Sequence, residues 1–374
     1  MDTPFWLDEP VEPLGRERRD GPVDVAIVGG GVTGCACALT LAEAGVRVRL
    51  YEARTIASGA SGRNGGFALR GGAMRYDAAR ATFGPERAAA FWRLTERALD
   101  RMAELAGDAF RRVGSLRLAA DEKERDELRA DHDALLADGF AVEWVDELPE
   151  RLSRTYHAAI LQPDDGALHP GRWVRRLASR AVEAGAEIRE GARVASLDEL
   201  KADNVVIASD GYSSGLVAEL DRVVQPTRGQ VVATEPLPDL LYERPHYARH
   251  GFDYWQQLPD GRLIAGGRRD VTLQAEFTAD EATTEPVQDA LESLLRDLVG
   301  SVPAITHRWS GIFGTSPDDR PLVGPLPGRD GLWVARGYSG HGNVLGLASG
   351  DLVAKAILGR REPELELFDP GRLL

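Results

Sequence analysis

The order of apolar and polar positions divides the chain into strand-like and helix-like segments. Val23–Val28 is a short, nearly continuous apolar run of strand character. Three glycines follow it. An apolar helix pattern then runs from Cys35 to Ala44 and stops at Gly45. Val46–Tyr51 predicts a second strand, ending at Glu52, so the segment reads as one βαβ unit. Gly59–Gly72, rich in Gly, Ser and Arg, predicts a loop. Residues 77–108 predict helix with a break at Gly84-Pro85. Phe110–Ala119 predicts a strand, Asp121–Ala137 an exposed helix and Phe140–Val145 another strand. An amphipathic helix is expected over Pro170–Ala184, then two short strands, then a buried-type strand over Asn204–Ser209. Strand-like runs alternate with turns from Val223 to Asp270, as in an antiparallel sheet. Val287–Val299 predicts helix and Leu332–Ala335 a final strand. A glycine-rich turn and a last long helix, Leu345–Leu358, follow.

The α/β units at the start, middle and end are separated by stretches of different character. The expected fold class is therefore α/β. A discontinuous, Rossmann-like nucleotide-binding domain (residues 1–76, 150–220 and 320–374) is interrupted by an α+β substrate domain (77–149 and 221–319) with a mainly antiparallel sheet. A length of 374 residues agrees with about two domains.

Charge and cysteine usage narrow the chemistry. The formal net charge of -14 argues against nucleic acid or an anionic membrane as partner, because phosphate neutralisation needs a basic face. Cys35 and Cys37 are the only cysteines and sit two apart in a predicted helix, where they cannot bridge. No disulfide framework, no four-cysteine zinc site and no metal are expected, and a reducing cytoplasm is the expected location. Met1–Asp20 is acidic and Pro-rich, with no long apolar run, and does not read as a signal peptide. No segment approaches the roughly 20 apolar residues of a membrane span. Lysine is rare: Lys123, Lys201 and Lys355 are the only ones. A cation needed between the last two must be Arg or His.

The first motif with chemistry is Gly29-x-Gly31-x-x-Gly34, between a strand and a helix. Gly29 permits the tight turn, Gly31 lets a pyrophosphate approach the backbone, and Gly34 lets helix and strand pack closely. Val32 and Thr33 open the helix, whose free amides and dipole favour an anion. Glu52 lies about twenty positions further on, where an acid would meet ribose hydroxyls, with Ala53 and Arg54 beside it. This set predicts a dinucleotide site for NAD or FAD.

The next segment, Ala57-Ser58-Gly59-Ala60-Ser61-Gly62-Arg63-Asn64-Gly65-Gly66, favours flavin. With it the chain resembles the D-amino-acid-oxidase-type family of FAD-dependent oxidoreductases. The Ser-Gly-Arg-Asn-Gly-Gly stretch is most similar to the gamma-glutamylputrescine oxidase branch. The late blocks Trp309-Ser310-Gly311, Thr315–Gly324 and Gly337-Tyr338-Ser339-Gly340-His341-Gly342-Asn343 extend the resemblance over nearly the whole chain. The resemblance implies that the Ala57–Gly66 segment wraps the pyrophosphate and ribityl chain and passes beside the isoalloxazine. It implies that Arg193, Val194 and Ser209, on middle strands, contact adenine and pyrophosphate. It also places Gly311, Gly337, Gly340, His341, Gly342, Asn343 and Val344 around the flavin ring, where donors stabilise charge on the reduced pyrimidine.

Departures from the family pattern matter too. Gly311 stands where the sarcosine-oxidase branch has the cysteine that bonds the flavin, which implies non-covalent FAD. Ile264 is the approximate match to that branch's oxygen-activating lysine, and Val344 to its carboxylate-holding lysine. Phe313 is expected near the flavin in place of a tyrosine. Candidate substrate residues come from the aromatic run His246–Trp255 and nearby arginines: Tyr254 or Trp255 as an apolar wall, and Arg249, Arg268 or Arg336 for an acidic group. Strand alternation allows at most one of Tyr254 and Trp255 to face a ligand. His341, Tyr254 and Arg268 are the candidate catalytic residues.

The expected function is hydride transfer from the carbon beside nitrogen in a small amine or amino acid to FAD. The resulting imine hydrolyses, and O2 is reduced to H2O2. A dehydrogenase with another acceptor, an NADPH-dependent flavin hydroxylase and a non-catalytic flavoprotein are the alternatives. Monomer and homo-oligomer both remain open.

Overall fold

The computed structural model describes residues 3–14, 21–212 and 215–374. Part of the N-terminal stretch Met1–Asp20, namely residues 1, 2 and 15–20, lies outside the described residues. Three sheets organise the chain. The first has the order β16-β17-β10-β1-β2-β9, with β1 (Val23–Val28), β2 (Val48–Tyr51), β9 (Glu187–Arg189), β10 (Ala202–Ile207), β16 (Leu322–Pro325) and β17 (Leu332–Arg336). All its pairings are parallel except β16–β17. Parallel strands tend to be buried on both faces, and β1 is buried at all but one position, whereas β10 is buried only at its Val206–Ile207 end.

The second sheet has eight strands in the order β15-β11-β14-β13-β12-β5-β7-β6. They are β5 (Ser115–Ala119), β6 (Glu143–Val145), β7 (Ala158–Gln162), β11 (Gln225–Pro236), β12 (His246–Ala248), β13 (Asp253–Gln257), β14 (Arg262–Gly267) and β15 (Ile305–Thr315). This sheet is antiparallel as expected, save that β12 pairs parallel with β5. A small third sheet, β3-β8-β4, joins Phe67–Ala68, Gly166–Leu168 and Phe110–Arg111 between the other two.

The long helices are α1 (Val32–Glu43), α3 (Tyr76–Phe83), α4 (Pro85–Ala106), α5 (Glu122–Ala137), α7 (Pro170–Glu183), α9 (Glu285–Val299) and α10 (Val344–Ile357). Short helices α2 (Ala60–Arg63), α6 (Glu150–Ser153), α8 (Ala218–Val223) and α11 (Leu365–Phe368) complete the set. Helix α1 is buried from Val32 to Ala42, because it lies between the first sheet and α10. No helix among the described residues is long and apolar enough to cross a membrane.

Several boundaries differ from the expectation. Phe110–Ala119 is two strands rather than one: Gly114, at φ +72, turns the chain from the third sheet into the second. The segment 59–72 is more than a loop, since it carries α2 and β3. Only one strand, β9, follows α7, and Arg193 and Val194 lie in irregular chain after it. Strand β7 belongs to the second sheet, although residues 150–220 were assigned to the nucleotide domain. Conversely, α4 buries Phe91, Trp92 and Met102 in the same core as α1 and α10, although 77–149 were assigned to the substrate domain. Sequence order separates these pieces, and side-chain burial decides where they dock.

Candidate active site

One cavity of about 1090 Å³ runs between the first and second sheets. Its wall begins at the turn between β1 and α1. Gly29, at φ +117, lets the backbone pass Ala208: a Cβ there would lie 2.6 Å from the Ala208 carbonyl oxygen. At Gly34 a Cβ would come within 2.0 Å of the Gly29 oxygen, so only glycine allows this helix so near its strand. The Gly31 amide has no acceptor among the described residues. Glu52 accepts from the Gly30 and Arg54 amides, both at 2.8 Å, and thereby fixes the turn while lining the cavity. Ser61 Oγ accepts from the Val32 amide at 3.0 Å. Ser209 Oγ, buried on the same wall, has no hydrogen-bond partner among the described residues.

The second glycine-rich turn, residues 337–343, opens α10. The amides of Gly342 and Asn343 have no acceptor among the described residues. Asn64 and Asn343 join the two motifs: their side-chain amides donate to each other at 3.0 and 3.1 Å, and Asn343 Nδ2 also donates to the Phe67 carbonyl at 2.6 Å. Tyr338 OH and Thr33 Oγ1 meet at 3.0 Å, linking the entrances of α10 and α1. Two polar ties thus hold two helix N-termini on one cavity.

Arg63 fastens the flanking loop. It donates to the carbonyls of Ser58 (2.7 Å) and Ser310 (2.9 Å), and its backbone oxygen accepts from Trp309 Nε1. Gly311 faces it, where a Cβ would be 2.9 Å from the Arg63 Cβ. Glu281, from the loop before α9, ion-pairs with Arg54 at 2.9 Å and accepts from Tyr212 OH at 2.6 Å. Burial pulls its carboxyl upward, but hydrogen bonds from Arg54 and Tyr212 outweigh this and hold it below the ordinary glutamate range. Neither Glu281 nor Tyr212 carries a local sequence signal.

The far end is aromatic. The Tyr254 ring lies against the bare backbone of Gly65 and Gly266, where a Cβ would come within 2.8 and 2.3 Å of it. Burial pushes its hydroxyl up to about 12, so it stays protonated at neutral pH. Trp255 points the other way, into the core with Leu118, Val232 and Leu291. Tyr247 meets His341 edge-on, with ring centroids 5.8 Å apart. Burial lowers His341 to about 4, helped by the charges of Arg117 and Arg269. Its Nδ1 lies 3.4 Å from the Ser339 carbonyl, which can only accept, so the tautomer with the proton on Nδ1 would donate there. Phe313, Arg269 and Asp319 complete this end.

Most of the expected site residues line the cavity, including Ala53, Arg193, Val194, Gly340 and Val344. Gly34, Gly62, Gly66 and Gly337 do not; they pack behind it. Arg268 also lies outside, paired with Asp253 at 2.6 Å. Arg249 pairs with Asp253 and Asp270, and buried Arg336 with Asp221. Ile264 is packed among Trp6, Val231 and Trp309. Of the arginines at the end of β14, the one that reaches the cavity is Arg269, one position beyond the expected Arg268. Tyr247 and Asp319 were likewise not singled out, although Tyr247 belongs to the conspicuous aromatic run.

The profile of the family described as FAD dependent oxidoreductase (DAO) matches residues 24–356. The chain belongs to this family. A probable oxidoreductase, OrdL, of Rhizobium meliloti is 30% identical over 96% of this chain and 88% of its own length. Gamma-glutamylputrescine oxidoreductase of Escherichia coli is 27% identical over 92% of this chain and 84% of its own. The crystal structure of glycine oxidase from Geobacillus kaustophilus aligns with a TM-score of 0.78 at 26% identity, covering 94% of this chain and 98% of that one. FAD fits the residues present: a cradle too tight for a Cβ, free amides at two helix entrances and an unpartnered buried hydroxyl on one cavity. The cofactor is held non-covalently. Both cysteines are fully buried in α1, outside the cavity.

Proposed function

We propose that the protein oxidises the C–N bond of a small amine or amino acid. When bound, FAD supplies the electron acceptor, taking a hydride from the carbon beside nitrogen. The substrate leaves as an imine, which water hydrolyses to a carbonyl compound and an amine or ammonia. In this reading the β1–α1 turn holds the pyrophosphate, and Glu52, Arg193 and Val194 line the adenosine end. The turn at residues 340–343 aims its amides at the pyrimidine, where charge develops on reduction. His341 is neutral at pH 7, so those amides and the α10 dipole carry that task.

The observation that carries the reading is the convergence of two glycine-opened helix entrances on a cavity that ends in Tyr247, Tyr254 and Phe313. That end favours the neutral amine over the ammonium form, because desolvation penalises charge. Tyr254 remains a protonated hydroxyl and orients the substrate as a donor or acceptor rather than as a phenolate base. We assign O2 as the electron acceptor, reduced to H2O2. A dehydrogenase is the second reading, favoured by one observation: no lysine lines the cavity among the described residues.

Anaerobic mixing of the holoprotein with sarcosine, glycine, D- and L-amino acids, cyclic amines and polyamine derivatives tests the proposal. Bleaching of the flavin by one of these is the expected result. Bleaching by NADPH alone, or by none, overturns it. Readmitted air should restore the colour and yield peroxide; slow recovery with fast reduction of a quinone dye would make the enzyme a dehydrogenase.

A further inference from the structure

Four consecutive carbonyls of the loop after α2, those of Arg63, Asn64, Gly65 and Gly66, are each held by a side-chain donor from elsewhere in the chain. Trp309 Nε1, on β15, donates to Arg63 at 2.8 Å. Trp6 Nε1, in the N-terminal segment, donates to Asn64 at 2.7 Å. Gln256 Nε2, on β13, donates to Gly65 at 2.7 Å and to Gly66 at 2.8 Å. The Gly66 carbonyl also accepts from the Leu168 amide at 2.7 Å. Gln256 keeps Nε2 on its two carbonyls although this leaves Oε1 buried without a partner among the described residues. A flipped amide would set Oε1 against two other oxygens.

Trp6, Gln256 and Trp309 are all buried and none lines the cavity, whereas Arg63, Asn64 and Gly65 do. The donors therefore stand behind the loop. Across a trans peptide the carbonyl and the next amide point in opposite directions. Carbonyls drawn backwards leave the Asn64 and Gly65 amides turned forwards, and neither amide has an acceptor among the described residues. The Gly66 amide is used within the loop instead, donating to Asn64 Oδ1 at 2.8 Å. Contacts on either side fix where along the cavity these amides lie. Tyr254, of the aromatic end, packs on the bare backbone of Gly65, and Asn64 is tied to Asn343 at the opening of α10. In the reading above this is the ring end of the flavin, not the pyrophosphate end at the β1–α1 turn.

We infer that Trp6, Gln256 and Trp309 are positioning residues that turn the Asn64 and Gly65 amides onto the bound flavin ring and thereby raise its reduction potential. Backbone donors fixed before the electrons arrive favour the more negative, reduced ring. The inference rests on the placing of the ring at the aromatic end, but not on any amine as substrate.

The test is the midpoint potential of the flavin in the holoprotein, read by equilibration with redox dyes and no amine present. Trp6→Phe keeps an aromatic ring in the core and removes the N–H. Gln256→Met keeps the length of the side chain and removes both donations. Each should lose about 10-fold in preference for reduced over oxidised flavin, the scale of one hydrogen bond to a charged group, and so lower the potential by about 30 mV. Trp173→Phe is the control. Trp173 is fully buried on α7 and its Nε1 has no partner among the described residues, so the potential of that variant should equal the wild type's. Unchanged potentials in Trp6→Phe and Gln256→Met, whatever their melting temperatures, overturn the inference, as does an equal fall in Trp173→Phe. Amine bleaching of the same proteins is read separately. Lowered potentials in a protein whose flavin no amine bleaches would remove the oxidation reading and leave this inference standing.

Discussion

At Gly31 the room available is smaller than a methyl group, since a Cβ would lie 2.8 Å from Ser61 Oγ. Gly31→Glu should therefore abolish FAD binding, because a side chain and a negative charge would fill the phosphate approach. The purified variant should be colourless and take up no added FAD, and a yellow holoprotein would refute the assignment. His341 acts through position and polarity. His341→Ala should slow flavin reduction by about 100-fold, the lower end of the range for one positioned polar group. Flavin content should be retained, and unchanged turnover would make the residue structural. The ring titrates at about 4, so it should contribute no limb to the pH profile of flavin reduction between about pH 5 and 8. Tyr254 shows how one residue type was legible and its neighbour was not: the period of two excludes one of Tyr254 and Trp255, but only packing against Gly65 and Gly266 says which.

Helices α1 and α10 form the element pair on which the cofactor site depends. Gly346 and Gly350 let them touch: a Cβ on Gly350 would meet the Thr33 carbonyl oxygen at 2.4 Å, and one on Gly346 would meet Thr33 Oγ1 at 2.8 Å. Thr40 donates to Asp351 at 2.6 Å, and Arg101 of α4 pairs with the same carboxylate at 2.9 Å. Gly350→Val should push the helices apart. It should cost roughly 1–3 kcal/mol, the range for overpacking a filled interface. FAD affinity should fall with stability, because both N-termini move. Urea midpoints with and without excess FAD read the two effects, and unchanged affinity would mean that the entrances are positioned independently. The helices themselves were predictable from their glycines and apolar periodicity. Their mutual contact was not, since Thr33 and Gly350 lie on opposite ends of the chain.

Three sheets enclose one cavity, and the second sheet carries its own core around Trp255 and α9. His246 is buried there, stacked on Trp255 with centroids 5.0 Å apart, its Nδ1 without a hydrogen-bond partner among the described residues. Burial lowers it to about 3. An unfolded chain protonates this histidine near 6.5, so unfolding takes up a proton in acid. The stability it contributes is complete above about pH 6.5 and is lost as pH falls towards 3. His246→Phe removes this penalty. Between about pH 7 and pH 5, the variant's unfolding free energy should improve by roughly 2 kcal/mol relative to wild type. A difference that does not vary with pH in urea titrations would show that His246 is not held neutral. The whole molecule also draws in its N-terminal segment: Trp6 is fully buried and donates to the Asn64 carbonyl at 2.7 Å, beside the flavin loop. Nothing in the local pattern around Trp6 signals that anchor.

The amino-acid order alone determined the first βαβ unit, the two glycine-opened helices and the alternation of α/β and antiparallel segments. Each depends on contacts within a few residues, where periodicity, glycine freedom and helix capping act directly. Tertiary structure alone decided that Phe110–Ala119 splits at Gly114, that β7 joins the antiparallel sheet and that Asn64 meets Asn343. It also decided that Arg269, not Arg268, reaches the cavity, because a left-handed residue breaks the alternation and Asp253 claims its neighbour. Such outcomes rest on which distant groups compete for the same partner, and that competition is settled only when the sheets and helices close on one another.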